Sequence, residues 1–547
     1  MDSDKIQTNK LMIFLSIKKK CVQYFRTHPY HLLYLIPIVF SFGFGFFQLF
    51  SQVTFGFDQA RDAFESYAMW HDRHLKIIGP SSDLPGVNHG VLWYYVLALP
   101  YLLANGDPQI TVVIFFILSF FTVFLIGHLA YKLFNNPEVS LISMSLYACS
   151  PLYQVNSRWL SNPSIALFVA PFFLLFLWRY ISHQSKFISG FLGIFIGLLV
   201  QSNFSYGVIV LVLPIYFIVF KLRVKFLDIF FFLIGLLISV STFIISEIKY
   251  KGQLFHAILH FLQVGNTLDK GIFQRVFLFL ERINNFFSVT FFPIHRVIFI
   301  FIVAIIFLYF LRNKNLRKYI KQFLFLVVWL SNIVFFQFFS SGVVSSFYLF
   351  NPSLMALIIL FGFFLFVLIK KHKIFYFLLI SIFTLQIATS YSWIYKDFSP
   401  LSVQHGIYLS DEKQIIDYTY LSANKKPFII NVVTNPLYID TTWAYLYEFY
   451  GQKKYGYMPF LYGRSQKGFL GNLPEKNFGI NNRFFITEPD TGIPRYFMWD
   501  ILQEEDTVSD MVEEKKIGNF YVQKRIFREN RPPLRKKSQL YDSLIVH

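Results

Sequence analysis

Near the start of the chain, four ionisable residues stand in one short run, Phe57-Asp58-Gln59-Ala60-Arg61-Asp62-Ala63-Phe64-Glu65. At helical spacing Asp58, Arg61 or Asp62, and Glu65 share one face, while Phe64, Tyr67 and His71 line another. A neighbouring positive charge favours the ionised form of a carboxyl group, and a positioned carboxylate can act as general base toward a hydroxyl. An amphipathic surface helix with a solvated charged face accounts for the same residues without any chemistry. Two other places carry reactive side chains at short spacing, Asn88-His89-Gly90 and Ser157-Arg158-Trp159-Leu160-Ser161-Asn162-Pro163. A structural histidine, an Asn-Pro turn and an arginine anchored at an interface are their plain readings. His71 and His74, three residues apart, read either as a metal-binding pair or as one wet helix face.

The elements that must position these residues are membrane spans. Of the 547 residues, 55% are hydrophobic and only 15% charged, with 71 phenylalanines, whereas a soluble chain carries about 25% charge. The apolar residues fall in runs of roughly 17 to 25, the length that crosses ~30 Å of hydrocarbon as a helix. Candidate spans cover approximately 32–52, 110–133, 139–156, 163–179, 187–202, 206–220, 226–246, 294–311, 323–340, 347–369 and 374–393. The run at 32–52 lacks a small-residue cleavage site and reads as a retained first span.

The formal charge of +19 is distributed over short loops between apolar runs, which argues for topology and against nucleic acid as partner. Those loops are Lys18 to Lys20, Lys132, Arg179 to Lys186, Lys221 to Lys225, Arg312 to Lys321, and Lys370 to Lys373. All fall on the cytoplasmic side if 91–104 does not cross but forms an interfacial or re-entrant helix. The N-terminus is then inside. A first outer loop (53–109), a second (247–293) and the C-terminal region lie outside. Cys21 and Cys149 provide neither a disulfide framework nor zinc-ligand spacing.

After residue 393 the pattern changes. A polar helix begins at Asp411, a β-branched strand follows at Phe428 to Val433, and 441–450 reads as helix. Strands near Phe484–Thr487 and Phe520–Phe527 complete a small α/β unit over 394–528. The tail 529–547 is charged and broken by proline, the composition of a disordered segment. The expected fold is an all-α polytopic membrane protein of about eleven transmembrane helices, with a small extracytoplasmic α/β domain at its C-terminus.

The run Phe57-Asp58-Gln59-Ala60-Arg61, with Gly79-Pro80, Asn88-His89-Gly90 and Leu92-Trp93-Tyr94-Tyr95, resembles the polyprenyl-phosphate-sugar-dependent glycosyltransferases of the GT-C superfamily. The similar branch contains protein O-mannosyltransferases and the aminoarabinose transferases of lipid A, and the 157–163 segment matches its second outer-loop motif. By motif the resemblance covers residues 30–220. It implies inverting transfer from a lipid-linked sugar phosphate to a hydroxyl of a glycan, lipid or protein acceptor at the outer face of the plasma membrane. It also places the catalytic base on Asp58 and substrate contacts on Gln59, Arg61, Asp62, His89, Arg158, Asn162 and Tyr348.

The chain departs from the branch in three places. Gln59 stands where many members have a second acid, and Asn162 stands where aminoarabinose-type members carry aspartate. These departures imply a single essential carboxylate and leave a divalent metal ion an open expectation. The stretch Ser340 to Tyr348 lacks the basic residue often found there, so Arg61, Arg158, Arg275 or Arg282 must supply the phosphate-binding cation. A polysaccharide polymerase or ligase, with key residues such as His256, His260 and Arg275 in the 247–293 loop, is one rival reading. A transporter of lipid-linked sugars, which tends to bury charges at mid-membrane, is another.

Overall fold

A computed structural model of the chain describes residues 33–82, 85–264, 272–298, 312, 314–339, 347–396, 398–401, 406–463, 471, 473–475, 479–489, 492–528 and 538–540. The expected basic segment Lys18 to Lys20, residues 299–311 of the eighth candidate span, the 340–346 stretch and all of the tail but 538–540 lie outside these residues.

The membrane part is a bundle of helices whose ends are written into the local sequence. After α1 (Leu35–Phe46) and α2 (Phe57–His71), the short apolar α3 (Leu92–Leu103) leads to the long α4 (Pro108–Phe134) and then α5 (Pro137–Ala148). Asp107 caps α4 through an Oδ1 that accepts the Gln109 N–H at 2.7 Å, with Pro108 pre-set for the first turn. The α4–α5 turn reads Asn135-Asn136-Pro137. Asn135 takes the left-handed conformation that stops one helix, and the Asn136 side chain accepts the Glu138 and Val139 N–H groups that start the next.

Further along run α6 (Ala166–Ser182), α7 (Lys186–Ser202), and the pair α8 (Phe226–Ser239) and α9 (Ser241–Lys249), bent by 61°. The Ser239 hydroxyl donates back to the Gly235 and Leu236 carbonyls just before the bend, which competes with the backbone ladder. α10 (Gln253–Val264), α11 (Ile272–Thr290), α12 (Asn351–Lys371) and α13 (Phe375–Tyr395) follow.

Among the described residues, five helices are long and apolar enough to cross a membrane, or six if the bent pair counts as one. Other candidate spans are shorter or broken: α1 has 12 residues, 139–156 divides at Ser150-Pro151, and 206–220 divides into a 3-10 turn and a short helix. The chain is a largely helical, multi-pass membrane protein.

The C-terminal unit is a five-stranded mixed sheet. Its strands are β1 (Phe428–Val433), β2 (Phe460–Leu461), β3 (Asn482–Thr487), β4 (Ser509–Ile517) and β5 (Phe520–Phe527), in spatial order β2-β1-β3-β5-β4. β1 is parallel to β2 and β3, while β5 is antiparallel to β3 and β4. α14 (Leu409–Ala423) and α15 (Arg495–Val508) accompany the sheet.

This unit is seated on the segment that follows α1. The Tyr445 hydroxyl donates to the Gly106 carbonyl at 2.6 Å, the Phe64 and Tyr67 rings meet Tyr445 and Phe449 edge to face, and Lys413 pairs with Asp107 at 3.3 Å. One face of α2 is thereby packed against the sheet domain, which leaves the opposite, charged face to define a site.

Candidate active site

α2 begins at Phe57 because Gly56 and Gln59 cooperate: the Gln59 Oε1 accepts the Gly56 N–H at 3.1 Å, satisfying a donor at the helix start. The same amide donates from Nε2 to the Leu160 carbonyl at 3.3 Å. Gln59 therefore ties the head of α2 to the 157–163 turn.

The next turn of α2 carries the charges. Arg61 reaches Asp58 Oδ1 through Nη1 at 2.7 Å and Asp62 Oδ1 through Nε and Nη2 at 2.9 and 2.8 Å. The other Asp62 oxygen accepts the Trp93 indole N–H at 2.7 Å. The environments of the three charged side chains differ sharply: Asp62 is 3% exposed, Arg61 14% and Asp58 66%. Burial works against the charge on Arg61, but Asp62 and Asp58 outweigh it and hold the guanidinium well above its ordinary range. Burial pushes Asp62 up to about 6, partly opposed by Arg61. A buried, doubly bonded Asp62 thus anchors an arginine that holds an open carboxylate.

The hairpin from Gly79 to Gly90 brings His89 to this group. His89 N–H donates to the Pro80 carbonyl, and the backbones at Gly79 and Gly90 cross so closely that a Cβ on Gly79 would lie 2.2 Å from the Gly90 oxygen. A Cβ on Gly90 would meet Gln201, so both positions require glycine for the approach itself. His89 Nδ1 accepts the Phe204 N–H at 3.2 Å, which places the ring proton on Nε2. Burial, reinforced by Arg61 and opposed by Asp58, lowers His89 to about 4, so the imidazole is neutral at physiological pH.

Arg158, Asn162 and Tyr348 sit on the same end of the bundle with structural partners. Arg158 donates to the Phe47 carbonyl at 2.7 Å and to Gln52 Oε1 at 3.1 Å, closing the open carbonyls beyond α1. Asn162 is buried and donates to the Ser202 carbonyl at 2.6 Å, which binds the 157–163 turn to the end of α7. The Tyr348 carbonyl accepts the Tyr206 hydroxyl, and its ring lies 6.4 Å from Trp159.

Of the more distant arginines, Arg282 is buried and Arg275 exposed on α11. His71 stacks on Tyr67 and lies 2.8 Å from Asp72. Among the described residues, no group of three or more His, Cys, Asp or Glu side chains is arranged to hold a metal ion.

Two contributors escaped the sequence reading. Trp93 was visible only as a word in a motif, although an indole N–H on an otherwise apolar helix is itself a sign of a buried acceptor. Lys76, whose ammonium pairs with Glu65 at 2.5 Å, closes the far end of the α2 charged face.

No protein-family profile and no curated protein matches the chain in sequence. Solved structures do match in shape. ArnT from Cupriavidus metallidurans, bound to undecaprenyl phosphate, aligns over 90% of this chain and 97% of its own, with a TM-score of 0.51 at 12% identity. The archaeal oligosaccharyltransferase AglB from Archaeoglobus fulgidus, in complex with an inhibitory peptide and a dolichol-phosphate, aligns over 80% of this chain and 64% of its own, with a TM-score of 0.43 at 11% identity. Over 90% of its length the chain shares its fold with ArnT.

Proposed function

We propose that this protein transfers a sugar from a polyprenyl-phosphate donor to an acceptor hydroxyl at the extracytoplasmic face of the plasma membrane, with its N-terminus inside and its sheet domain outside. The observation that carries the reading is Asp58: an open carboxylate at the head of α2, held by an arginine that is itself anchored by a buried second acid. Asp58 takes the proton from the acceptor hydroxyl, whose oxygen bonds to the anomeric carbon on the side opposite the phosphate. The bond from that carbon to the phosphate oxygen breaks with its electron pair, and polyprenyl phosphate leaves carrying the negative charge. The sugar is thereby inverted.

Arg61 orients the base, with Asp62 and Trp93 fixing Arg61 in turn. Gln59 and Asn162 hold the outer turn against α2 and α7, while His89 and Tyr348 border the substrate. The solved ArnT is bound to undecaprenyl phosphate, the lipid phosphate left when such a donor gives up its sugar. A lipid carrier of this kind explains why a sugar transfer belongs at a membrane interface, since a polyprenyl chain dissolves only in the bilayer.

The test is transfer of radiolabelled sugar from synthetic polyprenyl-phosphate donors, comparing the purified protein with a folded Asp58→Asn variant. A fall of about 10²–10⁴ in rate is expected for losing a general base. Equal rates in both proteins would move the base to another residue. No transfer or donor hydrolysis across a broad donor panel would favour the transporter.

A further inference from the structure

Glu412, in the first turn of α14, is fully buried, and among the described residues neither of its carboxyl oxygens has a hydrogen-bond partner. Other buried acids of the sheet domain are satisfied. Glu505 is bonded at both oxygens, and Glu488 accepts the Asn435 N–H at 2.7 Å and the Trp443 indole N–H at 2.8 Å. Charged groups on the elements around α14 engage other positions. Glu513 and Lys515 of β4 meet Tyr418, Lys524 of β5 donates to the Ser422 carbonyl, Lys454 pairs with Asp417, and Lys413 pairs with Asp107. Glu448 interacts with Asp72 and Lys453, and Asp440 with Glu475. The charges that act on Glu412 are those of Glu488, beyond the end of β3, and of Asp411 beside it, both acidic.

The same turn of α14 is where the sheet domain grips the chain ahead of α2. The Leu409 N–H donates to the Val53 carbonyl at 2.9 Å, Thr54 and Tyr408 form an antiparallel bridge, and the Ser410 hydroxyl donates to the Ser51 carbonyl at 3.1 Å. The Glu412 N–H closes the turn on the Tyr408 carbonyl at 3.0 Å. Val53 and Phe55 are buried, and Gly56 then starts α2 with Asp58 in its first turn. We propose that Glu412 is a proton-operated latch between the sheet domain and the segment that leads to Asp58. Protonated, it lets α14 close on residues 51–54. Ionised, it is a carboxylate without solvent or donor, and it reaches water only if the first turn of α14 moves and breaks those bonds. Burial, reinforced by Glu488 and Asp411, raises Glu412 well above the usual carboxylate range, so the closed state holds the proton.

The latch can be read without turnover, by hydrogen exchange of the full-length protein in detergent, corrected for the intrinsic exchange rate at each pH. An opened Glu412 returns to its ordinary value of 4.5, whereas the closed one keeps its proton to higher pH. The closed state therefore loses stability as pH rises above that value, until Glu412 itself ionises. Opening of the 406–415 and 51–58 segments in wild type, divided by that in Glu412→Gln, should grow with pH by up to about tenfold per unit. Glu412→Leu, which also cannot ionise, should give the same trend and serves if the glutamine variant does not fold.

A ratio that stays constant with pH overturns the latch. So does a ratio that grows in the sheet domain alone while residues 51–58 exchange alike in wild type and variant, because the acid would then strain its own domain without gripping the segment. The inference rests on the proposed transfer only for its consequence, a loss of rate toward alkaline pH that Glu412→Gln removes. If the ratio grows in both segments but Asp58→Asn transfers sugar like wild type, the latch stands and only the catalytic reading falls.

Discussion

Two clusters of opposite charges in this molecule use the same residue types for different ends. At the head of α2, Arg61 joins Asp58 and Asp62, with Trp93 completing the group. In the sheet domain, Arg483 of β3 forks onto both oxygens of Glu505 at 2.9 and 3.1 Å, Asn431 and Ser509 donate to the same carboxylate, and Arg525 pairs with Asp506. Every hydrogen-bonding position of Glu505 is thus occupied, and both Arg483 and Glu505 are 1% exposed. In the α2 cluster one carboxylate, Asp58, is left two-thirds open. A carboxylate with every acceptor position filled is a staple that joins β1, β3 and α15; one held through a single oxygen and otherwise exposed is equipped to meet a substrate.

Substituting one acid from each cluster tests that distinction most directly. Asp58→Asn should lose about 10²–10⁴ in transfer rate with its melting temperature nearly unchanged, because an exposed i, i+3 ion pair contributes only ~0.2–1 kcal/mol. Glu505→Gln should do the reverse. It leaves Arg483 buried without its counter-charge at a cost on the order of 3–5 kcal/mol, visible in thermal or denaturant unfolding, while the protein that remains folded keeps its transfer rate. Matching losses of stability in both variants would dissolve the contrast.

What the sequence could reveal follows the range of each interaction. The Asp58–Arg61–Glu65 face was legible because helical periodicity alone sets it. The role of Gln59 was not, since its second partner, the Leu160 carbonyl, is 101 residues away. Nor could Trp93 be paired with Asp62, a contact made only when α3 packs beside α2. Strand β4 escaped because its Glu513-Glu514-Lys515-Lys516 core reads as a polar loop. It forms the edge of the sheet, where charged side chains are tolerated and guard against strand addition. Apolar run lengths predicted spans well where helices are long, as in α4 and α12. They predicted them less well where Ser150-Pro151 or the Ser239 back-bond breaks a run whose hydropathy is continuous.

Asp62 sharpens the comparison from within the open cluster, because its environment makes it a titrating anchor. Its ordinary value is 3.8 and burial raises it to about 6. Between those values the folded protein keeps a proton that the unfolded chain has released, so its contribution to stability falls as pH rises through that window and is level above about 6. Activity should run the other way. Below about pH 6 the protonated Asp62 loosens its hold on Arg61, and transfer should decline. Asp62→Asn is expected to remove that acid limb from the pH–rate profile and lower the rate about tenfold at neutral pH, the scale of one charge-assisted hydrogen bond. An acid limb that persists in Asp62→Asn would assign it to a different group.

The smallest effect concerns Arg158, which the sequence offered as a phosphate ligand and the structure shows bonded to the Phe47 carbonyl and Gln52 beyond α1. Gln52 in turn donates to the Ile394 carbonyl at 2.7 Å, so the guanidinium links the exits of α1 and α13. By the criterion of closure, Arg158 belongs with the staples. A lysine keeps the charge but cannot reach two acceptors with one planar fork. Arg158→Lys should therefore cost about 1–2 kcal/mol of stability, seen as a lower melting temperature, with KM for the polyprenyl-phosphate donor unchanged. A tenfold rise in that KM at unaltered stability would move Arg158 into the substrate site, and show that an arginine satisfied by carbonyls can still bind the leaving phosphate.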